Sequence, residues 1–103
     1  MHRLLILVMI LLFTTAATAE TYTVSQKDKK FTISELTVKK GDTVAFKNED
    51  PFFHNVFSLS DAKLFDLGSY PQGQSKSITF DEEGVIEVEC AIHPNMIMEI
   101  TVE

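Results

Sequence analysis

The sequence has a single cysteine and no tryptophan in 103 residues, and only nine basic side chains against fifteen acidic ones. One cysteine excludes an intrachain disulfide and any zinc site built from several thiolates. A net charge of −6 leaves no basic face to neutralise phosphates, which argues against nucleic acid as a partner. No nucleophile motif, general-base constellation or Gly-rich phosphate loop is present. Long apolar runs are missing too. The longest, Leu4 to Phe13, covers less than ~20 Å as a helix, against about 30 Å of bilayer hydrocarbon. The length allows one domain at most.

The apolar run has a better reading than a membrane span. His2 and Arg3 precede it, and a threonine/alanine stretch follows, ending Ala17-Thr18-Ala19 just before Glu20. A charged start, a short apolar core and a small-x-small exit describe a secretory signal peptide over residues 1–19. The expected product is a single exported domain, residues 20–103, with eight lysines against fifteen acidic residues. If the host is bacterial, the compartment is the periplasm, with no stable membrane insertion after cleavage. No cysteine lies near the cleavage point, which disfavours a lipoprotein. A domain this small often needs a disulfide, a metal or a partner as reinforcement, and the disulfide is impossible here.

Alternation of apolar and polar residues runs almost end to end. Tyr22 and Val24, Phe31 and Ile33, Leu36 and Val38, then Val44 and Phe46 all recur with period two, and Lys39-Lys40-Gly41-Asp42 forms a turn between them. Glu49-Asp50-Pro51 breaks the pattern, and His54 to Leu59 reads as another strand. Ile78 and Phe80 mark one more. Beyond the acidic turn Asp81-Glu82-Glu83-Gly84, the residues Ile86, Val88 and Cys90 share one face, and Met98, Ile100 and Val102 share another. Ser60 to Gly73 is the least regular part, with a short helical turn expected around Ala62 to Phe65. Roughly seven or eight short strands with wet outer faces predict an all-β sandwich or barrel.

The chemistry-bearing side chains are not scattered. Beyond residue 19 there are two imidazoles, one thiol and two thioethers, and all but His54 fall between positions 90 and 98. Cys90, His93 and Met96 stand as C-x2-H-x2-M at the end of a strand, where a tight loop brings His93 and Met96 back towards the sulfur. His54, 36 residues earlier, supplies a second imidazole across the core. Two histidines and a cysteine with a weak axial methionine are the ligands of a type 1 copper site. Thiolate and thioether favour Cu(I), and imidazole suits both oxidation states.

Around these ligands, residues 36–103 resemble the cupredoxins of the plastocyanin/amicyanin type, and the short C-x2-H-x2-M loop is most similar to that of amicyanin. Val38 to Asn48 resembles the strand that leads to the family's first histidine. His54-Asn55-Val56 matches its H-N-V, in which the asparagine ties the two ligand loops together. Phe80 to Cys90 resembles its F-x3-G-x-Y-x-Y-x-C, with Ile86 and Val88 in place of the aromatics. Met98 stands where the family has glycine. The resemblance implies a Greek-key β-sandwich holding one type 1 copper ion through His54, Cys90, His93 and Met96. It implies a one-electron carrier cycling Cu(I)/Cu(II) rather than an enzyme. The expected partners are redox proteins such as a cytochrome or a copper/quinone enzyme, and the carrier itself is expected to be a monomer. The alternative is a protein that stores, senses or delivers copper on the same fold.

Several positions admit two readings. Strand parity makes Met98 core, and the spacing that resembles amicyanin's implies Met96 as the axial ligand. Glu49 or Asp50 offers a competing oxygen ligand. The outer nitrogen of His54 is expected to donate to a backbone carbonyl, as metal-bound imidazoles commonly do. Phe52 and Phe53 read as core or as a lid over the ligands, and Asp81-Glu82-Glu83 as a solvated turn or a docking feature for a basic partner.

Overall fold

Period-two patterning becomes nine strands in the computed structural model, which describes residues 18–103. The leader expected over residues 1–19 falls, Thr18 and Ala19 apart, outside the described residues. One sheet holds β1 (Thr21–Lys27), β2 (Lys30–Phe31), β4 (Thr43–Asn48) and β7 (Ser75–Thr79), in the order β2-β1-β4-β7. The other holds β3 (Glu35–Val38), β5 (His54–Ser60), β6 (Lys63–Tyr70), β8 (Gly84–Glu89) and β9 (Ile97–Val102), in the order β3-β9-β8-β5-β6. Two neighbouring pairs are parallel, β1 with β4 and β3 with β9; the rest are antiparallel. The all-β sandwich expected from the sequence is the observed fold.

Facing residues of the two sheets fill the space between them. Val24, Val44 and Phe46 come from one side and Val56, Ile86, Val88 and Ile100 from the other, all fully buried. Burial of such side chains contributes about 1.5–3 kcal/mol each, which is the main favourable term in a sandwich this small. Phe31 meets Phe46 edge to face at 6.0 Å between centroids. At the expected turn, Gly41 has φ +92°, and the Asp42 amide donates to the Lys39 carbonyl at 3.0 Å.

One expectation is corrected. Residues 62–65 form no helical turn; Lys63–Tyr70 is a full strand paired antiparallel with β5 from Leu59↔Leu64 to His54↔Tyr70. The alternation there is masked by a register shift between Asn55 and Phe57, where Val56 faces the two residues between Asp66 and Ser69. Gly68 takes φ +74° in that bulge, and its amide donates to Asp66 Oδ1 at 2.8 Å. A bulge inserts a residue and so shifts the apolar phase, which a period-two reading registers as irregularity. This strand and the two-residue β2 raise the strand number above seven or eight.

Candidate metal centre

Adjacent strands of the five-stranded sheet deliver the candidate ligands to one end of the sandwich. His54 opens β5, while Cys90 directly follows the last residue of β8; the two strands pair at Phe57↔Glu89. Cys90 continues the inward face of Ile86 and Val88 and is buried, as the alternation predicts. The chain then turns back within six residues. The Cys90 amide donates to the Met96 carbonyl at 3.2 Å, and the Met96 amide to the His93 carbonyl at 2.9 Å. Pro94 and the loop's closing bonds return the chain to β9 at Ile97.

Three donor atoms converge inside this loop. His54 Nδ1 lies 3.7 Å and His93 Nδ1 4.0 Å from Cys90 Sγ, and the two Nδ1 atoms are 3.2 Å apart. One ligand atom from each of His54, Cys90 and His93 falls within 4.8 Å of the others. His54 and Cys90 are buried; His93 is half-buried, with an edge towards solvent. Met96 and Met98 are both buried. Met98 sits in β9 opposite Val88, whereas Met96 belongs to the loop and bonds to Cys90 through its backbone.

The His54 ring is fixed from behind by a group the sequence reading assigned differently. Its Nε2 lies 2.7 Å from Asp50 Oδ2, so the outer nitrogen donates to a carboxylate and not to a backbone carbonyl. The same carboxylate accepts the amides of Asp28 and Lys29 at 2.8 and 3.0 Å. Burial pushes the Asp50 carboxyl up, but the bonds from His54, Lys29 and Asp28 outweigh it and leave the group below the ordinary carboxylate range. Asp50 therefore stands on the far side of the imidazole from the donor cluster. With Nε2–H committed to Asp50, His54 Nδ1 presents a lone pair to the centre.

That lone pair faces a second imidazole nitrogen at 3.2 Å and a sulfur at 3.7 Å. Such a set is reconciled by a proton or a metal cation between the atoms, and two nitrogens with one soft thiolate fit copper. Burial, and after it the nearby Lys29 ammonium, hold the His93 imidazole below its ordinary pKa, which favours the neutral form able to ligate.

Other contacts make the frame stiff. Asn48 Nδ2 donates to the carbonyls of Phe52 and Tyr70, and its Oδ1 accepts the Asp50 amide at 2.8 Å, so one buried side chain shapes the loop before His54. Gln26 Nε2 donates to the Asn55 carbonyl at 3.3 Å, while Tyr70 Oη donates to Gln26 Oε1 at 2.7 Å. Phe52 covers both imidazoles, each 5.3 Å away between centroids, and Phe53 is exposed. Asn55 Oδ1 accepts the Ala91 amide at 2.6 Å, the tie between ligand loops that the H-N-V resemblance implies. Asn55→Ala is expected to remove about 1 kcal/mol of stability. It should also speed exchange of the Ala91 amide, measurable by NMR, and an unchanged exchange rate would remove this role.

Asp50, Asn48 and Gln26 were not identified as supports from the sequence alone. The one available signal was that all three are polar residues at or beside inward strand positions, where an apolar residue is the rule.

A two-sheet β-sandwich that gathers two imidazoles and a thiol at one end of the sheet defines a cupredoxin. Residues 18–103 match the family described as copper binding proteins, plastocyanin/azurin family, and the chain belongs to that family. Solved structures agree. A variant of amicyanin in its reduced Cu(I) form at pH 4 is 31% identical, with a TM-score of 0.74 and 85% of each chain covered. Another Cu(I) amicyanin variant is 29% identical, with a TM-score of 0.75, covering 81% of this chain and 82% of that one. The copper-containing nitrite reductase of Thermus scotoductus SA-01 matches at 28% identity and a TM-score of 0.75, over 81% of this chain but 22% of its own. The protein is a cupredoxin of the amicyanin type, and copper, as one type 1 ion, is its cofactor.

Proposed function

We propose that this chain is an exported one-electron carrier. His54 Nδ1, Cys90 Sγ and His93 Nδ1 would hold the ion, with the Met96 thioether as the weak axial ligand. Copper bound there supplies exchange of a single electron between Cu(I) and Cu(II). The carrying observation is the convergence of three donors in a frame already fixed by Asp50, Asn55 and Phe52. Donors held from outside need not move when the charge between them changes, which keeps the barrier to electron exchange low. The amicyanin variants this chain is similar to include both Cu(I) and oxidised forms.

The half-buried His93 edge is the natural port for electrons. Exposed Ile92, Ile97 and Phe53 lie near it in sequence or in the fold and give a partner apolar surface to exclude water. The partner is a redox protein such as a cytochrome or a copper/quinone enzyme. Beyond residue 19 the chain has no histidine other than these two, so no imidazole remains for a second, catalytic copper centre.

Adding one equivalent of Cu(II) to the exported protein is expected to give an intense thiolate–copper absorption band that bleaches reversibly on reduction. Cys90→Ala should abolish the band. Met96→Leu should keep it and shift the potential; loss of all copper affinity in that variant would overturn the axial assignment. A pale wild-type protein, or slow electron exchange in stopped flow combined with ready copper transfer to an acceptor, would replace the carrier with a copper-handling protein.

A further inference from the structure

A buried carboxylate outside the donor cluster makes no ion pair among the described residues. Asp42, 3% exposed, accepts the Glu20 amide on Oδ1 at 2.9 Å and the Lys39 amide on Oδ2 at 2.8 Å. Among the described residues, no lysine or arginine nitrogen lies within 4.0 Å of it. Residue 20 is also anchored through its other backbone group, because its carbonyl accepts the Thr43 amide at 2.9 Å. The strand β1 begins one residue later, at Thr21↔Thr43. Thr18 and Ala19 are exposed and belong to no strand. Among the described residues, the first to bond into the fold is thus the one that follows the small-x-small exit Ala17-Thr18-Ala19.

We propose that Ala19–Glu20 is the processing junction and that Asp42 is a built-in receptor for the α-amine released there, so that removal of the leader locks the first strand into the sandwich. This rests on the export part of the reading above. Hydrolysis of the bond consumes one water. Its hydroxyl goes to the Ala19 carbonyl carbon and its hydrogen to the Glu20 nitrogen, and the acid proton passes from the new carboxyl to the new amine. A neutral amide donor to Asp42 becomes an ammonium in the same position. Charge-assisted hydrogen bonds are roughly twice as strong as neutral ones, and a buried unpaired carboxylate gains its missing cation. The bonds from Glu20 and Lys39 already hold the Asp42 carboxyl below the ordinary range, so the receptor is ionised at neutral pH. The titratable groups facing it are Lys39, Tyr22 and the Glu20 side chain, whose carboxylate accepts from Tyr22 Oη at 2.9 Å.

The test starts from the full chain, exported with its own leader. Intact mass is expected to give a chain beginning at Glu20. A second form carries Gly-Ser inserted between Ala19 and Glu20, which displaces the ammonium and leaves an amide at residue 20. Asp42→Asn is expected to lower Tm by about 4–8 °C more in the Glu20-start protein than in the extended one. The α-amine pKa, measured by NMR on the protein with Asp42 intact, should be raised above about 7.7–8.0 only when the chain begins at Glu20. Equal losses in Tm with both N-termini, or an ordinary amine pKa, would overturn the receptor while leaving the export reading in place. A mass beginning at another residue would overturn the junction, and a retained leader would overturn export itself.

Discussion

Stripping copper from the loaded protein is expected to lower Tm by about 15–30 °C. By linkage, a ligand at about 1,000 times its Kd adds ~4 kcal/mol of stability, and each kcal/mol moves Tm by about 4–8 °C in a domain of this size. The asymmetry behind it is geometric. In the unfolded chain His54 and Cys90 are 36 residues apart and the closure entropy must be met before both can bind. In the folded chain their donor atoms already stand 3.7 Å apart, in a site closed by the loop back to Met96. A cation held among these atoms also offsets the repulsion between two imidazole nitrogens 3.2 Å apart beside a buried sulfur. Differential scanning calorimetry of the same preparation before and after chelation measures the effect. Coincident curves would mean that copper binds without drawing on the folded geometry.

How much of this was legible beforehand depended on whether the information was local. Alternation along a strand is local, so Val44 and Phe46, Ile86 and Val88, and Ile100 and Val102 could be placed inward directly. The approach of Cys90 to His93 was legible for the same reason, because their spacing lies within one loop. His54 was legible as the one other imidazole beyond residue 19, and its H-N-V setting strengthened that reading. What escaped was phase and polarity. The bulge at Val56 shifts the register of β6 and hides its alternation. Asp50, Asn48 and Gln26 act through side-chain bonds to residues fixed by the fold: Asp50 to a turn 21 and 22 residues earlier, Gln26 to a carbonyl 29 residues later. Nothing in the spacing of such residues distinguishes them from polar residues in a loop. Asp50 was considered as a ligand because it is acidic and near His54. The fold instead places it behind the ring, where it orients the imidazole.

Removing that carboxylate is the second large effect. Asp50→Ala is expected to weaken copper binding by about 10–100-fold, the usual consequence of losing the partner that orients a metal-bound imidazole. The reduction potential should rise, because a carboxylate bonded to Nε2–H increases electron density on Nδ1 and so favours the more highly charged Cu(II). Stability should fall independently of copper. Asp28 and Lys29 both adopt left-handed backbone, at φ 55° and 58°, and their amides point at this one carboxylate. A left-handed non-glycine residue costs about 1–2 kcal/mol, and here the bonds to Asp50 offset that strain. The conservative Asp50→Asn variant separates the two roles. Its amide oxygen can still accept a hydrogen bond but carries no charge, so it should retain much of the fold's stability while still raising the potential. Titration with a competing copper chelator and protein-film voltammetry on both variants read the two quantities separately. An unchanged potential in both would mean that Phe52 and the sheet alone orient His54 and that the carboxylate serves only the turn at Asp28 and Lys29.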